Sequence, residues 1–508
     1  MNVPLTPLDF LERARRIFAP LEAVVDGDRR ITYAEFAGRA HRLAHALRRD
    51  LGVQPGDRVA YLCGNTLELL EAYYGVVLAG AILTPLNIRL SAAEMQDVID
   101  DCRPAVLVVH PSFADVPLIA KDRLDLGAGY ERLLTTQPAT LFEPAPFAED
   151  DVCEIFYTSG STGLPKGAML THRNLATHAI DSALTLNMAH RDTVLHTIPL
   201  FHVNGWGTPH YVTVMGGRHV MLERFDASEV LRLIEAEQVT RLHLVPTMAT
   251  SLLVHPDLSK RDLSSLISVT VGGAPPGPQL MAELEQAIPS AEVICGYGLT
   301  ESAPQLTKAL TLRSHDNLPA EEQRRRRSTT GLPNVGVDLR VLDDDGHEVP
   351  WDGATAGEIC ARSNHVMAGY WERPDATAEV IRDGWLHTGD VATVDAEGYV
   401  TIVDRKKDII VSGGENVSSV QVEQALLAHP AVLEAAVVGM PHERWGEVPR
   451  AFVVLRPGVD VPPEEAELIE FVRDRLAHFK APKRVDILDD LPKGGTGKIQ
   501  KNVLRERP

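Results

Sequence analysis

The sequence predicts an α/β protein: a large N-terminal domain of helix-covered, layered sheets with a small β-rich part, and a smaller, mobile α+β C-terminal domain. Apolar strands alternate with amphipathic helices from 31 to 112 and again from 193 to 288. This alternation is typical of parallel sheets that are covered on both faces. A chain of 508 residues also exceeds what one hydrophobic core usually supports. We therefore expect more than one domain.

The first strands and helices have clear start and stop signals. Thr32 and Glu35 form a Thr-x-x-Glu capping box, which predicts a helix that begins there and runs to about residue 51. A strand is predicted at 59–63. The apolar window 69–86 contains an acidic residue and two glycines, so it is a poor membrane span and is predicted to be a buried helix that ends in a turn.

Later strands end at proline or glycine. Leu242–Val245 is followed by Pro246, and Val269–Val271 is followed by Gly272. Open α/β sheets bind ligands at the carboxyl ends of their strands. The loops after these strands are therefore candidate ligand loops.

The pattern changes in the second half of the chain. Short strands separated by turns rich in Asp and Gly predict a β-rich part at 331–403, which belongs to an N-terminal domain spanning 1–403. A charged segment at 404–408 is the predicted hinge. The remaining residues, 409–508, are numerous enough to form a mobile domain of their own.

Composition excludes some classes of partner and site. The formal net charge of −20 argues against nucleic-acid binding, which depends on Lys and Arg neutralising phosphates. The five cysteines are far apart, and none of them are paired at metal-binding spacing. The N-terminus lacks the basic and apolar regions of a secretory signal. We expect a cytoplasmic protein with reduced thiols and no integral membrane contact.

The segment 156–167 has the composition of an anion-binding loop. It combines three glycines, four Ser or Thr residues and Lys166, so backbone N–H groups, hydroxyls and one positive charge can converge on a polyphosphate. It is not a Walker P-loop, because Lys166 is followed by glycine, and Lys498 near the C-terminus is followed by Ile499. The candidate phosphate-binding residues are Thr158, Ser159, Gly160, Ser161, Thr162, Gly163 and Lys166.

Four more motifs follow this loop. They are Gly296–Glu301, His387–Asp390, Asp404–Asp408 and Pro492–Lys498. In this order and at this spacing, the five motifs resemble the adenylate-forming superfamily of acyl-CoA synthetases, peptide-synthetase adenylation domains and luciferases. The resemblance covers nearly the whole chain. It implies an enzyme that converts a carboxylate and ATP to an acyl adenylate and pyrophosphate, and then transfers the acyl group to a thiol.

The resemblance also implies a nucleotide site. Glu301 and the Thr158 hydroxyl would hold Mg²⁺, Thr300 would donate to the α-phosphate, and Lys498 would be the catalytic cation. The phosphate loop would hold the β- and γ-phosphates of ATP. The residues implied to surround adenine and ribose are Gly273, Ala274, Pro275, Gly296, Tyr297, Gly298, Asp390 and Arg405.

The segment 199–206 is implied to border the acyl pocket. Amino-acid-activating members of the superfamily place an Asp after the corresponding Phe, whereas this chain has His202. The difference disfavours an amino-acid substrate and fits the acyl-CoA and luciferase branches, in which a histidine lies by the substrate carboxylate. The other implied pocket residues are Asn204, Gly205 and Trp206.

The second reaction needs a thiol to reach the adenylate. In the superfamily the C-terminal domain rotates for this step, and the matching hinge residue here is Lys407. The residues implied to line the coenzyme A tunnel are Ser412, Gly413, Gly414, Glu415 and Asn416.

The leading hypothesis is a Mg·ATP-dependent ligase that joins coenzyme A to a medium- or long-chain fatty acid or a similar aliphatic carboxylate. Short and aryl-substituted acids stay open as substrates. A stand-alone enzyme that loads the phosphopantetheine arm of a carrier protein is the second hypothesis, and a non-catalytic binding protein is the third. A homodimer is suggested only by similar ligases.

Overall fold

The computed structural model describes residues 3–158, 165–202, 205, 207–459, 461–494 and 498–507. Its helices are α1 Leu8–Ile17, α2 Tyr33–Arg49, α3 Leu67–Leu78, α4 Ala92–Cys102, α5 Ala128–Thr135, α6 His172–Thr185, α7 Thr208–Met215, α8 Ala227–Ala236, α9 Pro246–Leu253, α10 Pro278–Ala287, α11 Ala320–Arg327, α12 Pro374–Val380, α13 Ser419–Leu427, α14 Glu465–Arg473 and α15 Lys501–Arg505. Short 3₁₀ turns cover Pro111–Phe113, Leu258–Lys260, Thr300–Ser302 and Arg313–His315.

The strands are β1 Glu22–Asp26, β2 Arg29–Thr32, β3 Arg58–Leu62, β4 Ile82–Pro85, β5 Val106–Val109, β6 Arg123–Asp125, β7 Val152–Thr158, β8 Lys166–Thr171, β9 Thr193–Leu195, β10 Arg218–Val220, β11 Arg241–Leu244, β12 Ser268–Val271, β13 Glu292–Gly298, β14 Gln305–Lys308, β15 Leu332–Pro333, β16 Val337–Leu342, β17 Gly357–Ser363, β18 Gly369–Tyr370, β19 Ile381–Arg382, β20 Trp385–Val394, β21 Val400–Arg405, β22 Ile410–Ser412, β23 Glu415–Val417, β24 Val432–His442, β25 Gly446–Leu455 and β26 Arg484–Ile487.

Two large sheets form most of the N-terminal part. One has nine strands in the order β15-β14-β13-β12-β11-β9-β10-β1-β2, and the other has seven in the order β18-β8-β7-β4-β3-β5-β6. Their inner strands are parallel, and the antiparallel pairs lie toward the edges. Parallel neighbours require crossover connections, which explains the alternation of strands and helices in the sequence.

Two smaller sheets follow. The antiparallel sheet β16-β17-β20-β19, with β21 beside β20, corresponds to the β-rich part predicted at 331–403. The last sheet, β23-β22-β25-β24 with β26 beside β25, shares a separate hydrophobic core with α13 and α14. The predicted fold class is confirmed, while the exact boundary at 404–408 stays a prediction.

Local signals in the sequence explain the helix limits. The Thr32 side chain accepts a hydrogen bond from the Glu35 N–H, and the Glu35 carboxylate accepts one from the Thr32 N–H, so the predicted capping box begins α2. Helix α3 is buried along its whole length and ends before Gly80, which has a positive φ of 75°. No helix in the described ranges is both long enough and apolar enough to cross a membrane.

The nine-stranded sheet has one apolar face and one face that carries polar groups. Leu242 and Leu244 on β11, with their neighbours on β12, point into a hydrophobic core under α8, α9 and α10. Because side chains alternate along a strand, His243 and Thr270 point the other way, toward α6 and α7. This second face forms one wall of the cavity described below.

Candidate active site

The two strands that flank the phosphate loop lie beside the segment that carries Glu301. Thr158 and Lys166 are register partners on β7 and β8, so the loop leaves and re-enters the sheet at one place. The ammonium of Lys166 lies 5.3 Å from the centre of the Tyr370 ring. The Tyr370 hydroxyl donates to Glu301 Oε1 at 2.6 Å. Strand pairing of β18 with β8 holds Tyr370 there.

The oxygen atoms of Glu301 and Thr158 suit a hard cation such as Mg²⁺. Glu301 uses Oε1 to accept the Tyr370 hydrogen bond, and its second carboxylate oxygen is a ligand type that Mg²⁺ prefers. Thr158 adds a hydroxyl, which lies 3.5 Å from the Lys166 carbonyl oxygen. The residues therefore fit the predicted Mg²⁺ ligands. Their assignment stays a proposal.

The predicted loop residues Ser159, Gly160, Ser161, Thr162 and Gly163 lie outside the described residues.

The residues predicted for adenine and ribose form one connected group. The Tyr297 hydroxyl donates to Asp390 Oδ2 at 2.7 Å, and Arg405 Nε lies 3.2 Å from Asp390 Oδ1. Asp390 and Arg405 are also register partners on β20 and β21. The charge of Asp390 is thus oriented by a hydroxyl and a guanidinium. A carboxylate held in this way can accept hydrogen bonds from a ribose.

Close backbone approach explains two of the predicted glycines. A Cβ on Gly298 would lie 1.8 Å from the carbonyl oxygen of Pro304, so no larger residue fits there without movement. Gly273 has a positive φ of 87°, which glycine adopts without strain. Ala274 and Pro275 follow it in an exposed loop after β12. Gly296 lies on the neighbouring strand β13, where its carbonyl oxygen would be 3.3 Å from a Cβ on Gly272. The loop after β12 and the end of β13 are called the nucleotide slot below.

Lys498 reaches this group from the C-terminal part of the chain. The pKa of its ammonium is lowered to about 8. Burial is the largest cause and the charge of Arg405 also lowers the pKa, while Asp390 and Glu301 act in the opposite direction. Three charged residues of the predicted nucleotide site therefore lie within electrostatic range of this one lysine. The structure has the C-terminal part docked so that Lys498 enters the site.

The neighbouring His202 is neutral. Burial lowers its pKa to about 3, and the charges of Lys498 and Arg89 contribute in the same direction. Its backbone is fixed by a turn, because the His202 N–H donates to the Pro199 carbonyl and the Gly205 N–H donates to the His202 carbonyl. A Cβ on Gly205 would lie 2.4 Å from the Pro199 oxygen, so the turn requires glycine. Asn204 and Trp206 lie outside the described residues.

A cavity extends from the nucleotide slot into the molecule. It has about 560 Å³ of empty space, including its open mouth, and it borders Gly272, Tyr297 and Gly298 at the nucleotide side. Its lining includes polar residues, among them His243 and Lys308. The cavity is a candidate acyl pocket.

The residues predicted for the coenzyme A tunnel lie in the C-terminal sheet. Ser412 ends β22, Gly413 and Gly414 have positive φ values of 62° and 89°, and Glu415 and Asn416 begin β23. Together they form a hairpin of the C-terminal sheet, and Gly413 N–H donates to the Trp445 carbonyl.

Lys407, the predicted hinge, is exposed in the turn between β21 and β22. Residues on either side of it are anchored. Asp404 accepts hydrogen bonds from the Ser419 N–H at 2.6 Å and from the Ser419 hydroxyl at 2.7 Å. Asp408 pairs with Arg505 of the last helix. Both anchors, Ser419 and Arg505, belong to the predicted C-terminal domain, and the hinge role of Lys407 stays a prediction.

Comparison with known proteins identifies the family. The family model described as "AMP-binding enzyme" matches residues 11–371, and the one described as "AMP-binding enzyme C-terminal domain" matches residues 421–498. The chain belongs to the AMP-binding enzyme family. The predicted superfamily is confirmed, and the unmatched interval between the two models contains the predicted hinge.

Named relatives and solved structures cover almost the full length of the enzyme. It is 41% identical over 500 residues to a feruloyl-CoA synthase of Amycolatopsis sp., with 97% of each chain covered. It is 37% identical to 4-hydroxybutyrate–CoA ligase 2 of Metallosphaera sedula, covering 99% of this chain and 94% of that protein. The crystal structure of an anthranilate CoA ligase in complex with anthranoyl-AMP superposes with a TM-score of 0.90 at 30% identity, covering 99% of this chain and 97% of that one.

The structure adds residues of the enzyme's site that sequence reasoning missed. Tyr370 links Lys166 to Glu301, Arg89 lies within electrostatic range of His202, and Lys308 lies inside the cavity. Tyr370 and Arg89 lie outside the five motifs. Lys308 carried a weak signal, because it follows Leu306 at the two-residue spacing that places both on one face of a buried strand.

Proposed function

We propose that this AMP-forming acid–thiol ligase joins an aryl or hydroxylated carboxylic acid to free coenzyme A through an acyl-adenylate intermediate. The observation that carries the proposal is the position of Lys498. It reaches the group that contains Glu301, Asp390 and Arg405, and it lies within electrostatic range of His202. A cation at that place can act on both the nucleotide and the carboxylate.

The adenylation step brings two anions together. A carboxylate oxygen of the substrate attacks the α-phosphorus of ATP, the bond to the β-phosphate oxygen breaks, and pyrophosphate leaves with the bonding electrons. Cations that are already in position lower the cost of this encounter. We assign Lys498 to the reacting phosphate, Lys166 to the β- and γ-phosphates, and Thr300 as a hydroxyl donor. Mg²⁺, when bound through Glu301 and Thr158, adds charge neutralisation.

His202 has a different role in this proposal. Because its imidazole is neutral at physiological pH, it can orient the substrate carboxylate by a hydrogen bond without adding charge. The positive charge is left to Lys498. A full ion pair with a histidinium would stabilise the substrate carboxylate before it reacts and make it less nucleophilic. A neutral His202 avoids this loss.

The acyl group is proposed from the cavity and the relatives together. Buried polar groups are costly to desolvate when a ligand offers no hydrogen bond in return, and the lining of the cavity includes a histidine and a lysine. An unsubstituted fatty chain would offer no acceptor for the N–H donors of the lysine beyond the one that Thr270 accepts. The relatives described above are named for feruloyl and 4-hydroxybutyrate substrates. We therefore favour the aryl and hydroxylated alternatives over the fatty-acid prediction.

For the thiol step we keep the rotation about Lys407. The tunnel residues Ser412–Asn416 lie in a hairpin of the C-terminal sheet, and Lys498 occupies the site in the present arrangement. A rotation that withdraws Lys498 would bring a different face of the same domain to the adenylate. Coenzyme A then attacks the acyl carbon through its sulfur, and AMP leaves.

The test is pyrophosphate release from Mg·ATP with cinnamate, ferulate, 4-hydroxybutyrate, butyrate and palmitate, each with and without coenzyme A. We expect release with an aryl or hydroxylated acid, formation of its thioester when coenzyme A is present, and loss of release in Lys498→Ala. Adenylation without a coenzyme A thioester would favour the carrier-protein hypothesis. No release with any acid would contradict the enzymatic proposal.

A further inference from the structure

Lys308 is a buried lysine without a carboxylate partner among the described residues. Its side chain is 1% exposed, and the hydrogen bond described for its ammonium is donated to Thr270 Oγ1 at 2.9 Å. An ammonium carries three N–H donors. A buried charge is costly unless it is paired and fully hydrogen-bonded, so this one is suited to receive a further acceptor.

The strand register explains how the lysine reaches the cavity. Lys308 on β14 lies opposite Gly296 on β13, which has no side chain, and its ammonium meets Thr270 on the next strand, β12. Thr270 is in turn the register partner of His243 on β11. The three polar side chains therefore form a row across the sheet, on the face that lines the cavity.

The other side of the row is occupied by a tyrosine of α7. The Tyr211 hydroxyl lies 2.9 Å from His243 Nε2 and 3.2 Å from Thr208 Oγ1. The hydroxyl and the His243 ring therefore already have hydrogen-bond partners. Among the described contacts, the Lys308 ammonium keeps N–H donors beyond the one that Thr270 accepts. Its charge environment is mixed: burial lowers its pKa to about 7, Arg241 lowers it as well, and Cys295 and Glu292 act in the opposite direction.

We propose that Lys308 and Thr270 form a specificity subsite that takes an oxygen acceptor at the far end of the acyl substrate, a hydroxyl, phenolate or second carboxylate. This inference rests on the proposed function, because the same cavity borders the nucleotide slot at Gly272, Tyr297 and Gly298. An acid that reacts at the nucleotide end would present its distal end to Lys308. Such an acid bears two polar ends joined by a short apolar or aromatic body.

The subsite also acts by exclusion. An acid of the same shape that lacks the distal oxygen would cover the ammonium without offering it a hydrogen bond. Sites built to hydrogen-bond a substrate group discriminate strongly against analogues that lack it. The wild-type enzyme should therefore prefer the oxygen-bearing acid by at least about tenfold in kcat/KM, the effect expected from one hydrogen bond to a charged group.

The experiment compares matched acids in the full-length enzyme. Pyrophosphate release is measured with 4-hydroxycinnamate, 4-carboxycinnamate and cinnamate, and with 4-hydroxybutyrate and butyrate. The variant is Lys308→Met, which keeps an unbranched side chain of similar length without the charge. Lys260→Met, at an exposed lysine of the N-terminal part, is the matched control, and ATP binding and thermal melting of each variant are recorded.

We expect the preference for an oxygen-bearing acid to fall to about one in Lys308→Met, and to persist in Lys260→Met. The deoxy acid should react as well as or better in Lys308→Met than in the wild type, since no unpaired ammonium is buried. The ratio of two acids within one variant does not respond to a general loss of folding. Preference for the hydroxy acid or for the dicarboxylate tells which oxygen is bound, and either supports the subsite.

Two results would overturn the inference. Equal use of the matched acids by the wild-type enzyme, with pyrophosphate released from both, would overturn the subsite and leave the ligase proposal standing. An unchanged preference in Lys308→Met would do the same. No pyrophosphate from any acid would overturn the proposed function and the subsite with it.

Discussion

The hydroxyl of Tyr370 offers a sharp test of how the site is built, because one atom can be removed without disturbing its surroundings. Tyr370→Phe deletes the hydrogen bond to Glu301 Oε1, whose length is 2.6 Å, but keeps the ring beneath the Lys166 ammonium. A hydrogen bond to a charged group contributes about 1.5–3 kcal/mol. If adenylation needs Glu301 in its present orientation, its rate should fall roughly 10- to 150-fold.

The assay is exchange of labelled pyrophosphate into ATP at several Mg²⁺ concentrations. We expect Tyr370→Phe to need more Mg²⁺ for half-maximal exchange, because the carboxylate is no longer fixed. Conversion of an added acyl adenylate and coenzyme A to the thioester should be unchanged, since that reaction does not use the triphosphate end of the site. The effect is therefore confined to one half-reaction.

Tyr130→Phe is the control. Tyr130 also donates to a carboxylate, that of Glu71, at 3.0 Å, and it lies in the N-terminal core outside the five motifs. Both variants lose a hydrogen bond from a tyrosine hydroxyl to a carboxylate. Exchange by Tyr130→Phe should stay within about twofold of the wild type. The reasoning is refuted if Tyr370→Phe also stays within that range.

Three further predictions concern charge and the hinge. Lys498→Ala should slow adenylation about 10²- to 10³-fold in pyrophosphate release, while added acyl adenylate is still converted to thioester; equal loss of both steps would contradict its assigned role. Lys407→Pro should leave pyrophosphate release intact and slow thioester formation in stopped-flow assays, and unchanged thioester formation would argue against the hinge. Burial lowers the pKa of His172 and of His365 to about 4, so the unfolded chain binds more protons than the folded one below about pH 6.5. The melting temperature should therefore drop as pH falls from 6.5 to 4, because each histidine lowers the free energy of unfolding by up to about 3 kcal/mol. A melting temperature independent of pH over this range would contradict this prediction.

The elements that could be predicted are those whose signals are local. The capping box at Thr32 and Glu35 begins α2 as expected, and the proline and glycine after the strands of the nine-stranded sheet mark their ends. The motif residues are equally local, since short motifs predict Tyr297, Asp390 and Arg405. In the structure, Tyr297 and Arg405 both contact Asp390 directly.

The missed residues depend on pairings between distant parts of the chain. Tyr370 belongs to a strand of two residues that forms only because β8, about 200 residues earlier, offers an edge. No periodicity exists in two residues, so no pattern could place its hydroxyl on Glu301. The role of Lys308 could not be predicted either, because it depends on the contact with Thr270 and on the absence of a carboxylate beside the ammonium in the described structure. Local propensity cannot reveal which charge lacks a partner.

The charge balance around Lys498 connects the two half-reactions. Lowering its pKa from 10.5 to about 8 corresponds to about 3 kcal/mol against placing a charged ammonium in the site without nucleotide. This figure already includes the repulsion from Arg405 and the attraction of Asp390 and Glu301, so burial and Arg405 together outweigh the two carboxylates. In the proposed cycle, a bound triphosphate would supply the missing negative charge and favour docking of the C-terminal part. When pyrophosphate departs, most of that charge would depart with it, and the cost of keeping Lys498 in place would return. Withdrawal of the lysine would then be favoured at the point in the proposed cycle where a thiol must enter.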